Sequence, residues 1–132
     1  MMKKILVFDQ NQEVADGLAM VLESEFKCKA MRVHEREDAL RLIEQFRPEL
    51  LVAACASAKS EIELDWLRQI RRRWSKQELP IILIGTQICK PFMENIPQDL
   101  PEMIDTLLPR PFRPNELLSA VEAKMFPSLA SA

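Results

Sequence analysis

Apolar residues occur along the chain in two patterns. Three short runs, Ile5-Leu6-Val7-Phe8, Leu50-Leu51-Val52-Ala53-Ala54-Cys55 and Ile81-Ile82-Leu83-Ile84, are unbroken and carry no charge. Runs of this length without alternation suit strands covered on both faces, as in the middle of a parallel sheet. The stretch from Pro48 to Cys55 is the centre of the pattern: Pro48 takes Arg47 out of helical geometry, and Ala54 and Cys55 stand at the carboxyl end. In open parallel sheets, ligands and chemistry collect beyond that end of the central strands.

Between these runs the spacing becomes helical. Val14, Leu18, Val21 and Leu22 predict a helix over about 12–25 with Asn11 as its cap, weakened slightly by Gly17. Phe26 to Val33, with Lys27, Lys29 and Arg32 between apolar positions, predicts an edge strand. Ala39, Ile43 and Phe46 predict a second helix, and Leu67, Ile70 and Trp74 a third. Six of the nine prolines fall between Pro91 and Pro114; Pro91, Pro97 and Pro101 argue for a fourth helix that is short or broken across 87–102. Ile104 to Leu108 predicts a last strand, and Leu117, Leu118, Val121 and Met125 a final helix opened by Pro114. Five alternations of strand and helix imply an α/β fold, a five-stranded parallel sheet with helices on both faces.

With 132 residues, 48% of them hydrophobic, the chain suits one domain, expected over 1–126, with 127–132 as a tail or the start of a linker. The formal charge of −2 gives no global pull toward nucleic acid or anionic lipid. Cys28, Cys55 and Cys89 are odd in number and include no Cys-x-x-Cys pair, which points to reduced thiols and away from disulfides or zinc. Only four apolar residues precede Asp9 after Met-Met-Lys-Lys, too few for a signal core or a membrane span, so a cytoplasmic location is expected. Gly17 and Gly85 are the sole glycines, which argues against a phosphate-binding loop.

Four segments in register resemble one family, the receiver domains of two-component response regulators. They are Ile5 to Asp9, Pro48 to Ala53, Leu79 to Ile84, and Arg110-Pro111-Phe112 with Pro114-Asn115-Glu116-Leu117-Leu118. The resemblance covers about residues 3–125 and implies a flavodoxin-like (CheY-like) sheet of order 2-1-3-4-5. It also implies positions for phosphotransfer, which needs a carboxylate nucleophile, two further acids on magnesium, a hydroxyl, a lysine and often an aromatic reporter. Asp9 matches one acid, but Gln10 stands at the second and Ala54 at the nucleophile. The hydroxyl position falls on Gly85, with Thr86 next to it; the aromatic position falls on Leu107, and the lysine position on Arg110. An alanine has no oxygen to attack phosphorus.

The sequence therefore predicts a degenerate, pseudo-receiver-type domain that binds a protein partner without phosphorylation at the usual position, with no cofactor and no metal. An Asp9–Arg110 pair is expected in place of metal and phosphoryl group. The resemblance further implies a cis Arg110–Pro111 bond. Two alternatives stand: phosphorylation at an unexpected residue such as Asp9, or an enzyme on a flavodoxin-like scaffold, for which nucleophile, base and anion-binding loop are not supplied together. Receivers commonly dock partners through the fourth helix, fifth strand and fifth helix, so Phe92, Met93, Ile96, Leu107 and Phe112 form the candidate partner face. Homodimerisation through it stays open. Met93, Ile96, Leu100 and Met103 either cover the core, the favoured reading, or form a docking patch. Arg68, Arg71, Arg72, Arg73 and Lys76 are read as a solvated basic face in preference to a nucleic-acid contact, and His34 as a solvated loop residue.

Overall fold

The computed structural model describes residues 2–55, 61–85, 98–109 and 112–125. Its strands are β1 (Lys3–Phe8), β2 (Cys28–Val33), β3 (Leu50–Cys55), β4 (Ile81–Gly85) and β5 (Thr106–Pro109). Its helices are α1 (Gln12–Glu25), α2 (Arg36–Phe46), α3 (Glu61–Arg73), α4 (Leu100–Met103) and α5 (Pro114–Met125). The strands form one parallel sheet in the order β2-β1-β3-β4-β5. Fold class and strand order thus follow the sequence reading.

Period-two geometry inside the unbroken apolar runs sends alternate residues to opposite faces. Leu6, Phe8, Leu51, Ala53, Ile81 and Leu83 pack toward α2, α3 and α4, where Ile43, Leu67 and Ile70 meet them. Ile5, Val7, Val52, Ala54, Ile82 and Ile84 pack toward α1 and α5, where Leu22, Leu117 and Val121 meet them. Burial on both faces is why these strands carry no polar alternation.

Local starts and stops agree with the sequence in most places. The Asn11 side chain accepts from the amides of Glu13 and Val14, capping α1, and α2 ends at Arg47 in the left-handed region at φ 53°. Other details depart from expectation. The buried stripe of α1 is Ala15, Ala19 and Leu22, whereas Val21 is exposed: the small alanines bring the helix close to the sheet, turning the larger Val21 outward. The second strand starts at Cys28 because Phe26 caps α1 through its amide on the Leu22 carbonyl. Pro101 lies in the first turn of α4, where its missing N–H costs nothing, so it opens that helix instead of interrupting it. Residues 87–97 of the expected broken helix lie outside the described residues. The fifth strand begins at Thr106, two residues late, because Asp105 is engaged with the Ile81 backbone through both its amide and its carboxylate.

Candidate functional site

The carboxyl edge of β1, β3 and β4 assembles from three strand ends. Phe8 lies beside Ala53 and Val33, Ala54 beside Ile84, and Cys55 beside Gly85. Asp9, first residue past β1, donates its amide to the Val33 carbonyl at 3.2 Å, and its Oδ1 accepts from the Asn11 amide at 2.8 Å. Its carboxylate is thereby built into the turn that starts α1, with only 9% of the residue exposed. Ala54 is also buried, with its methyl group in the apolar layer under α1 and α5.

A residue that the sequence reading did not single out reaches this edge. Arg36 opens α2; with the Gln10 amide assigned so that its oxygen faces the guanidinium, that oxygen accepts from both terminal nitrogens at 3.0 and 3.1 Å. The Arg36 guanidinium lies 5.9 Å from the Phe8 ring centroid, and its carbonyl accepts from the Trp66 indole N–H at 3.1 Å. Phe8 and Trp66 complete the group with ring centroids 4.8 Å apart. A cation held by an amide and an aromatic face thus sits where β1, α2 and α3 converge. The Asn/Gln-for-acid change at position 10 was the available signal; Arg36 itself lies within the mixed-charge run Glu35-Arg36-Glu37-Asp38, which hides it.

The remaining predicted positions divide. Gly85 is buried at the end of β4, opposite Cys55 and Pro109. Leu107 is half-buried against the α2–α3–α4 layer, and Phe112 is half-buried against the opposite, α1–α5 layer. The two described members of the expected partner face therefore pack on different sides of the sheet. Arg110, Pro111, Phe92, Met93 and Ile96 lie outside the described residues, and with them the Asp9–Arg110 pair and the Arg110–Pro111 bond. Leu100 and Met103 are buried, as core cover requires. No group of three or more His, Cys, Asp or Glu among the described residues could hold a metal ion. No described helix is long and apolar enough to cross a membrane.

The basic cluster is only in part the solvated face that was expected: Arg72 and Arg73 are exposed, and the other three reach neighbouring elements. Arg68 pairs with Asp99 and Asp65, Arg73 pairs with Glu44 at 3.1 Å and stacks on Trp74, and Lys76 donates to the Pro101 carbonyl. Arg71 turns inward onto backbone carbonyls. Close packing of α3 on residues 98–105 engages Arg68, Arg71 and Lys76, and sequence spacing alone could not supply that. His34 is exposed, as read. A groove of about 590 Å³ lies at the amino end of the sheet, lined by Ile43, Arg47, Pro48, Trp74 and Leu79. It is remote from the carboxyl edge, where the fold collects chemistry.

No family model and no curated protein matches the chain. Solved structures match nearly the whole of this chain. The CheY-like response regulator receiver domain protein from Methanospirillum hungatei superposes with a TM-score of 0.77 at 17% identity, covering 100% of both chains. The signal receiver domain of a response regulator from Bermanella marisrubri gives 0.76 at 23% identity, covering 94% of this chain and 98% of its own. A pilus assembly-related protein from Burkholderia pseudomallei gives 0.74 at 16% identity, covering 93% and 89%. The fold is therefore the CheY-like receiver fold.

Proposed function

We propose that the chain is a receiver-like signalling domain that acts by binding a protein partner, without phosphorylation at the usual position and without catalysis of its own. The observation that carries this reading is Ala54: it occupies the end of the central strand, buried among apolar side chains. A methyl group can neither attack phosphorus nor ligate magnesium. Gln10 supports the same reading, because an uncharged amide there offers little to a divalent cation and instead accepts from Arg36. Asp9 is the remaining carboxylate of the predicted set, and its Oδ1 is committed to the Asn11 amide. The edge is then a fixed structural junction that presents one surface to its partner. Titration with magnesium and beryllofluoride, an acyl-phosphate mimic, tests this by amide NMR. Unchanged resonances from Asp9, Ala54 and Gly85 are expected, and a saturable shift at all three would overturn the reading.

A further inference from the structure

Residues 98–105 precede the edge strand β5, and the element they contain is too short to hold itself. The four-residue α4 is shorter than any helix that persists alone, and its last carbonyls need partners from elsewhere. Those partners come from α3 and the turn after it. Arg71 donates through Nε and a terminal nitrogen to the Met103 carbonyl at 3.0 and 2.5 Å. Its other terminal nitrogen bridges the carbonyls of Trp74 and Leu79 at 3.1 and 3.0 Å. Lys76 donates to the Pro101 carbonyl at 2.6 Å. Arg68 grips both carboxylate oxygens of Asp99, at 2.8 and 3.4 Å.

We propose that Arg68, Arg71 and Lys76 form a latch that seats residues 98–105 on α3, so that the register of β5 against β4 is set from the α3 side and independently of the carboxyl edge. The chain of contacts is continuous. Arg71 joins the end of α3, the entry to β4 and the end of α4 in one guanidinium. Past Met103, the amide of Asp105 donates to the Ile81 carbonyl at 2.9 Å while its carboxylate accepts from the Ile81 amide at 2.8 Å. This reciprocal pair fixes the β4–β5 register one step before Ile82 meets Thr106. Arginine is needed at position 71 because a planar fork reaches carbonyls in separate directions, whereas an ammonium is a compact point charge. Burial pushes the Arg71 pKa down and the Asp105 carboxylate opposes that, as expected for a cation held inside by carbonyls and one acid. The latch does not depend on whether the domain is ever phosphorylated.

Hydrogen exchange on the full chain tests the proposal. In Arg71→Gln, amides over 99–109 should exchange about tenfold or more faster, since buried carbonyls lose a charged donor. Arg71→Lys should give a smaller increase, while β1 and β3 keep wild-type protection in both. Gln10→Ala, at the carboxyl edge, should speed exchange over 99–109 no more than in β1 and β3, following only its global loss of stability. A uniform increase across all strands in Arg71→Gln, no increase over 99–109, or a loosening by Gln10→Ala selective for 99–109 would each overturn the latch. If Arg71→Gln does not fold, Arg71→Lys and Arg68→Ala carry the test with the same outcomes.

Discussion

Arg36 and Gln10 meet at the carboxyl edge of the sheet, with one amide oxygen accepting from both terminal nitrogens of the guanidinium at 3.0 and 3.1 Å. The contact joins the turn after β1 to the first turn of α2, beside Phe8 and Trp66. Hydrogen bonds to charged groups contribute about 1.5–3 kcal/mol, and exposure lowers that figure. Gln10→Ala should therefore lower unfolding free energy by about 1–2 kcal/mol, and the Gln10→Ala, Arg36→Ala double-mutant cycle should show coupling of about 1 kcal/mol in urea denaturation. Strict additivity of the two changes would contradict the contact.

Trp66 is buried against Phe8 and donates to the Arg36 carbonyl. Trp66→Ala should cost about 3–5 kcal/mol from the cavity and lost transfer energy. Trp66→Phe keeps an aromatic ring but leaves a part-buried carbonyl short of one donor, with an expected cost of about 1 kcal/mol. Equilibrium denaturation measures both. Wild-type stability in Trp66→Phe would show that the indole N–H contributes nothing.

The Asp99 carboxyl is held below its usual range, chiefly by its hydrogen bond from Arg68, against a smaller opposing effect of burial. A depressed carboxyl pKa contributes stability that is fully present above the unfolded value of about 3.9 and is lost as pH falls through the lower folded value. Asp65 also pairs with Arg68, at 2.8 Å. The stability difference between wild type and Asp99→Asn should accordingly be constant from neutral pH to about pH 5 and shrink below about pH 4. Thermal melts across that window check the sign. A difference that grows on acidification would contradict it.

Much of this architecture was legible because burial on both faces leaves a distinct mark. Ile81 to Ile84 and Leu50 to Cys55 carry no polar residue, and no alternative element of that length needs such a run. Asn11 was legible as a cap because its role is local. The site was legible where one residue suffices, as with the methyl group at Ala54, and obscure where partners come from distant segments. Arg36 and Gln10 are separated by the whole of α1 and β2, and nothing in periodicity pairs them. Arg71 shows the same limit more sharply: on the helix it belongs to a run of three arginines that looks solvated, yet tertiary packing turns it toward Met103, Trp74 and Leu79. On α1 only Val21 was misplaced: Leu18 and Leu22 pack on the α1–α5 layer as read, but the alanines at 15 and 19, which periodicity of large residues overlooks, share that face.

With Ala54 at the end of the central strand, the proposed function requires that no acyl phosphate form on this domain. Incubation of the full chain with acetyl phosphate and magnesium, followed by intact-mass measurement under conditions that preserve acyl phosphates, tests it most directly. Unmodified mass is expected at every time point, with an active receiver domain labelled in parallel as the positive control. A phosphoryl adduct that disappears in Asp9→Asn would contradict it.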